Sequence, residues 1–424
     1  MTKNNINFDI PSEMRALVLD GTGFEHLKVC KVPTPKPGLK QMLARVDAAG
    51  ICTSLIKLIE QGPNHPFVYG WDLSRWPLIL GDEGAVTLVE IGDELKNVYQ
   101  KGDRYVIQPA VDHEPINHRE RYRDNGKGIN KVSVSYTLGG HLAEYILITE
   151  EILAAHCLLP IPNPSLCYAH SATCEPISCI ISAQDHHMHL VQHNPLEPRL
   201  IQKGLKPGGV TVIIGAGTMG RIHVDLAMSY HPGKIIVADF IEERLERTRK
   251  LFCSRAEKLG IDLIAINSSS IDLKEFVAAH TSQHGADDII IAVGAKKAIE
   301  GATDFIGQGG VLNLFGGLKK GEEYASFDTI AIHYKAINVT GSSGGSPWDM
   351  AHTLELMLEE QINPASHITQ IGDLDHAVEL IKMVKAQQID GKAIVYPFRR
   401  TPRILQVDSW TSDDEKKYFQ EGIE

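Results

Sequence analysis

The stretch GVTVIIGAGTMGRIHVDLAMSYHPGKIIVAD, residues 209–239, decides the fold. Val210–Ile214 is a β-branched run of the length expected for a strand buried on both faces. Gly215, Gly217 and Gly220 follow in the spacing G-x-G-x-x-G, and residues 221–230 read as a helix. A second apolar run, 235–238, ends on Asp239. Gly215 makes the tight turn, Gly217 lets backbone amides approach a pyrophosphate, and Gly220 lets helix and strand pack closely. The phosphates would sit on the helix N-terminus, where unpaired N–H groups and the helix dipole favour negative charge. Asp239, 24 positions past Gly215, stands where a carboxylate accepts hydrogen bonds from the ribose hydroxyls of NAD. A glycine hexapeptide alone is an ordinary tight turn. The strand, the helix and the acid around it make the dinucleotide reading. Thr218 and Met219 share the turn, and Val293, Gly294, Phe315 and Gly316, at the ends of two later apolar runs, are candidates to line the coenzyme. Asp239 would repel a 2′-phosphate, which favours NAD(H) over NADP(H), although Arg244 and Arg247 stand close enough in sequence to accommodate one.

With 424 residues there is room for two or three domains with a sizeable core. Lys and Arg number 42 against 53 Asp and Glu, a net charge of −11, which argues against nucleic acid or an anionic membrane as partner. No apolar run approaches the ~18 residues of a membrane span. The opening MTKNNINFDIPSE has neither the basic start nor the apolar core of a signal peptide. The seven cysteines (Cys30, Cys52, Cys157, Cys167, Cys174, Cys179 and Cys253) are scattered and odd in number, which is no disulfide framework. A cytoplasmic protein with reduced thiols is expected.

Residues 14 to about 153 are rich in short apolar or alternating runs: MRALVLD, MLARVDAAGI, EGAVTLVEIG, DRYVIQPA and AEYILIT. Gly and Pro clusters such as PTPKPG (33–38) punctuate them, as in a small barrel. From about Ser171 helix and strand alternate, which predicts an α/β doubly wound parallel (Rossmann) sheet. Its later strands are expected at 262–266, 288–293, 311–315 and 336–340, followed by a helix over 348–361. The closing strand Lys392–Tyr396 would rejoin the first domain. The expected division is 1–180 for the first part of a β-rich catalytic domain, 181–343 for the coenzyme domain, and 344–424 for the return plus a charged tail. That tail, from Arg399 on, is expected to pack on a partner subunit or to stay mobile.

The β-rich part carries an unusual polar set. Gly50-Ile51-Cys52-Thr53-Ser54 puts a cysteine in a turn after an apolar strand; Gly81-Asp82-Glu83-Gly84 follows another apolar run; Cys174-Glu175-Pro176 lies at the domain junction. Singly, each has a bland explanation: a core thiol, a turn, a helix N-terminal acid. Together they resemble the zinc-dependent medium-chain dehydrogenase/reductase superfamily of alcohol and polyol dehydrogenases. The signature G-[IV]-C-x-S is matched at Gly50–Ser54, G-H-E-G at Gly81–Gly84 except that Asp82 replaces His, and the polyol-type E-P at Glu175-Pro176. GDRYV (102–106), GGHLAEY (139–145) and GKAIV (391–395) match further segments, so the resemblance runs from about Met14 to Pro397. The nearest look within it is to the sorbose-1-phosphate reductases, on EPISCIISA (175–183), GDRYVIQPA (102–110), LFCSRAEKLGIDLIAIN (251–267) and the insertion between Gln184 and Gly204.

The resemblance implies a GroES-like catalytic domain, a catalytic metal and metal-assisted hydride transfer between a polyol and its ketone. By it, the ligands would be Cys52, Asp82 and Glu175, with Glu83 behind them or exchanging into the shell. A thiolate with two carboxylates carries −3 and leaves a Zn²⁺ site at −1, a weaker Lewis acid than one with a neutral imidazole. The harder donor set also admits Mg²⁺, Mn²⁺ or Fe²⁺. Ser54 matches the hydroxyl that starts the family's proton relay, and Lys57 stands where many relatives place a histidine; it would finish the relay, contact a substrate phosphate, or be a solvated surface residue. The four close cysteines of the family's structural zinc lobe are missing from 108–138, so a structural zinc is not expected. The replacing segment VDHEPINHRERYRDNGKGINK (111–131) balances Arg119, Arg121, Arg123, Lys127 and Lys131 against Asp112, Glu114, Glu120 and Asp124, and reads as a solvated or subunit-contact loop rather than a phosphate site. His186, His187, His189 and His193 invite a second metal, but read better as a surface segment. A metal-free quinone or enoyl reductase-like enzyme and a non-catalytic dinucleotide-binding protein are the alternatives. Relatives imply a homodimer or homotetramer, with 332–345 as a candidate contact, acting on a polyol or sugar phosphate.

Overall fold

The β-branched runs of the coenzyme region become six parallel strands. Across the sheet they lie in the order Asp262–Asn267, Lys234–Asp239, Val210–Ile214, Ala286–Ile291, Ile306–Leu314 and Asn338–Gly341. This is the doubly wound order, which reverses beside Val210–Ile214 and leaves a crevice at the strand ends there. Helices cover both faces. Ile213, Ile235, Val237 and Ile290 bury against Leu245 and Phe252 on one face. Val212, Ile236, Ile289 and Ile291 bury against Val277 and Ile299 on the other. Burial on both faces is why these strands read as continuous apolar runs. The computed structural model describes residues 8–319 and 321–421.

Several element bounds differ from the sequence reading, among them Ile306–Leu314 and Pro347–Leu358 for 311–315 and 348–361, and two of the shifts have local reasons. The helix after the glycine turn starts at Thr218 rather than 221, because Gly217 is its N-cap and Gly220 lies inside its first turn. The last strand starts at Asn338 rather than 336, because the preceding helix Thr329–Lys335 ends on Ala336 in the left-handed conformation.

The chain divides into two compact units. One holds the chain up to Ile177 with Gly345–Glu360 and the segment from Pro364 on; the other holds Ser178–Gly344 with Gln361–Asn363. In the first unit, Met42–Gly50 pairs antiparallel with Glu83–Ile91, Tyr145–Ile148 and Lys392–Tyr396. Lys392–Tyr396 pairs in turn with Ile368–Asp373. Leu17, Val46, Leu55, Val86, Ile146, Leu374 and Val395 share one core there.

Three segments depart from expectation or gain an anchor. The tail does not wait for a partner: the helix Ser412–Glu421 docks on its own unit. Buried Glu415 accepts from the backbone N–H groups of Tyr168 and Ala169, each at 2.8 Å, and from the Tyr396 hydroxyl at 2.8 Å. The indole of Trp410 donates to the same hydroxyl at 2.7 Å. The insertion forms a hairpin, Met188–Val191 with Leu200–Lys203, whose histidines are not all at the surface. His187 and His189 are buried and hold Asp288 Oδ1 at 2.6 and 2.8 Å. Those are proton-bridged lengths, shorter than the roughly 3.3 Å between two ligands on one tetrahedral zinc with bonds near 2 Å. Burial opposes the Asp288 charge, but bonds from both histidines draw its carboxyl down to about 2. The segment 111–131 is organised by Glu151, whose Oε1 accepts from the N–H groups of Ile116 and Asn117 at 2.8 Å each. Among the described residues no helix is long and apolar enough to cross a membrane.

Candidate active site

In the first unit, Cys52 follows the strand Met42–Gly50, and Ser54 opens the short helix Ser54–Gln61. Leu55, Leu58 and Ile59 anchor that helix in the core, which leaves Lys57 exposed on its outer face. Gly81 takes φ +109, and a Cβ there would come within 2.5 Å of the Leu142 nitrogen. That turn delivers buried Asp82 and fully buried Glu83 to the end of the neighbouring strand. Ser54 Oγ donates to Asp82 Oδ2. Ser54 N–H points at Cys52 Sγ, 3.5 Å away. The thiol of Cys52 interacts with both carboxylates, and the charge of half-buried Glu175, in the first turn of Cys174–Asp185, reaches it too.

Two neighbours escaped the sequence reading. Lys392 Nζ is buried, donates to Glu83 Oε1 at 2.6 Å and to the Ile51 carbonyl at 3.1 Å, and is the cation of the cluster. Buried Tyr136 interacts with Ser54 through its hydroxyl. Neither had a signal in the sequence, since each lies far along the chain from the residue it meets. Burial pushes up the Cys52 thiol and both carboxyls, with Asp82 and Glu83 adding to the effect on Cys52. For Lys392 burial opposes charge, and Glu83 followed by Cys52 overrides it upward.

Asp82 Oδ1 and Glu83 Oε2 are buried without a hydrogen-bond partner. Unpaired carboxylate oxygens beside a thiol form a donor set that suits a divalent cation. The donor atoms are not drawn up as tightly as His187, His189 and Asp288, the one group of three within 4.8 Å among the described residues.

In the second unit the ten coenzyme candidates meet at one place. A Cβ at Gly220 would lie 1.8 Å from the Gly215 carbonyl oxygen, so that helix turn closes only on glycine. A Cβ at Gly217 would meet nothing nearer than Arg244 Nη1 at 3.9 Å, which leaves the cradle open for a pyrophosphate. Thr218 and Met219 follow in the first helical turn. Val293 packs on Gly215, and Gly316 on Val293, so closely that a Cβ on either glycine would come within 2.5 Å. Phe315 meets His223 edge-on at 4.6 Å, and Gly294 approaches the Gly317 carbonyl. Asp239 accepts from Ala216 N–H at 2.7 Å and Ile241 N–H at 2.9 Å, with Arg244 Nη1 4.0 Å from its carboxylate.

Residues 38–162 match the alcohol dehydrogenase GroES-like domain family, and residues 218–359 match the zinc-binding dehydrogenase family. The mannitol-1-phosphate 5-dehydrogenase of Aliivibrio fischeri is 30% identical over 405 residues, covering 94% of this chain and 90% of its own. The chain belongs to the zinc-type alcohol and polyol dehydrogenases. This dehydrogenase is also 28% identical to the L-sorbose 1-phosphate reductase of Klebsiella pneumoniae, over 85% of this chain and 83% of the relative. Its fold is that of 2R,3R-butanediol dehydrogenase from Bacillus subtilis, with a TM-score of 0.70 at 20% identity over 91% of this chain and 99% of the other. As a zinc-type dehydrogenase it is an oxidoreductase that uses a nicotinamide coenzyme.

Proposed function

We propose that the chain interconverts a sugar or sugar-phosphate ketone and its polyol, with NAD(H) preferred and one catalytic metal held by Cys52, Asp82 and Glu175. The observation that carries this reading is the pair of partnerless buried oxygens, Asp82 Oδ1 and Glu83 Oε2, beside the Cys52 thiol. A divalent metal held there would supply a Lewis acid for the substrate oxygen, and a bound nicotinamide would supply the hydride chemistry. Ser54 fixes Asp82 through Oδ2, which leaves Oδ1 as the oxygen to offer. Glu83 stands behind the ligands, and the Lys392 ammonium it holds tempers their charge. The Ser54 hydroxyl is the group placed to carry a proton to or from substrate, and Lys57, one helical turn on and exposed, passes it to water. Asp239 supports NAD(H) as the preferred coenzyme by its charge at the ribose position. Assembly as a cytoplasmic homodimer or homotetramer is proposed through the exposed edge strand Asn338–Gly341.

The test is oxidation of NADH by sorbose 1-phosphate, fructose 6-phosphate and the free ketoses, with and without prior chelation. Chelator-sensitive turnover supports the reading. Turnover that survives complete metal removal sinks the metal mechanism, and coenzyme binding without turnover on any ketose sinks the activity.

A further inference from the structure

The 111–131 segment carries five basic residues, and the structure sorts them. Arg119 pairs with Glu114 at 3.6 Å, Arg121 with Glu120 at 3.6 Å and Lys131 with Asp112 at 3.3 Å. Arg123 and Lys127 pair with nothing: among the described residues their side chains meet no carboxylate and no hydrogen-bond acceptor. Both line the same cavity, of about 360 Å³, together with Asn64, His65 and Tyr69. One acid, Asp124, shares it. A third unpaired cation, Lys57, acts on the cavity from the side, since burial and then the charge of Lys57 lower the His65 imidazole.

This cavity adjoins the candidate metal cluster. The His65 ring lies 4.9 Å from the ring of Tyr136, and the Tyr136 hydroxyl interacts with Ser54, which donates to Asp82. A run of contacts from His65 through Tyr136 to Ser54 therefore joins the cavity's wall to the residues assigned to the reacting end of a substrate. In a chain of net charge −11, a pocket lined by two exposed, unpaired cations favours an anion. Guanidinium and ammonium donors without protein acceptors suit a phosphoryl group.

We propose that Arg123 and Lys127 form the subsite for the phosphate of an open-chain polyol or ketose phosphate. This rests on the polyol dehydrogenase reading above and names its substrate class. Balanced in the sequence, the segment's charges are unbalanced in space.

The experiment has two arms, both on enzyme saturated with NADH so that the glycine-rich turn is occupied. In the first, inorganic phosphate is titrated calorimetrically into wild type and into Arg123→Gln/Lys127→Gln. In the second, KM is measured for fructose 6-phosphate and sorbose 1-phosphate and for the free ketoses. Expected are phosphate binding that the double variant loses, and a KM rise at least tenfold larger for the phosphorylated substrates than for the free ones. Circular dichroism and NADH affinity report whether the variant is folded. An equal change for both substrate classes, or phosphate binding that survives the double substitution, would overturn the subsite. Absence of turnover with every ketose, while phosphate still binds and the variant loses it, overturns the activity reading instead and leaves the subsite standing.

Discussion

Two buried histidines weaken this chain toward acid. His141 and His223 are fully buried, and burial, reinforced for His223 by the charge of His187, lowers them to about 4 and about 3. Unfolded, each would titrate near ~6.5. Below that pH the unfolded chain binds protons that the folded chain refuses, so stability is complete above ~6.5 and falls as pH drops toward the folded values. Each histidine contributes a slope of up to about 1.4 kcal/mol per pH unit. Urea midpoints between pH 7.5 and 5 should show the decline, and His223→Leu should flatten it; an unchanged slope in that variant would refute the assignment. Lys392 makes a second case. Lys392→Met strands Glu83 as a buried charge and should cost roughly 3–5 kcal/mol, most of it recovered when Glu83→Gln is added. A double-mutant cycle by denaturant unfolding reads both. At the coenzyme site, Asp239→Ser should raise the NADP(H)/NAD(H) ratio of kcat/KM about tenfold or more. Cys52, Asp82, Glu83 and Glu175 were legible because their motifs are local. Lys392 was not, because it reaches Glu83 across 309 positions, and Asp288 was not, because its histidine partner lies 101 positions away.

Among the elements, the coenzyme sheet was the most legible part, since strands buried on both faces leave unbroken β-branched runs and the glycine turn marks the first of them. The C-terminal helix was the least. Its charged surface reads as solvated, and the one buried acid that decides its position, Glu415, finds its acceptor role 247 positions back at Tyr168. Glu415→Ala would leave two helix-end N–H groups and the Tyr396 hydroxyl without an acceptor, at a cost of about 3 kcal/mol. Glu415→Gln, which keeps one acceptor oxygen, should cost less. Thermal unfolding that ranks wild type, Gln and Ala in that order supports a cap; equal losses would point to packing alone. The hairpin Met188–Val191 with Leu200–Lys203 is fastened in the same way, by side chains whose partner in the sheet carries no local mark.

For the whole molecule, the proposed assignment has metal and coenzyme drawing on separate sets of residues. Chelation should therefore abolish turnover while NADH binding, followed by its fluorescence, stays within about twofold; loss of both together would show that the metal also organises the coenzyme site. The division of the chain bears on synthesis as well. The coenzyme unit is almost unbroken in sequence, whereas the catalytic unit is interrupted by it and resumes at Gly345. The central strand Met42–Gly50 takes Lys392–Tyr396 as a neighbour, and that strand brings the cation that Glu83 requires. On a ribosome the N-terminal half thus emerges with an acid whose counter-charge has yet to be translated. The part that emerges first is completed only after the coenzyme unit has been made.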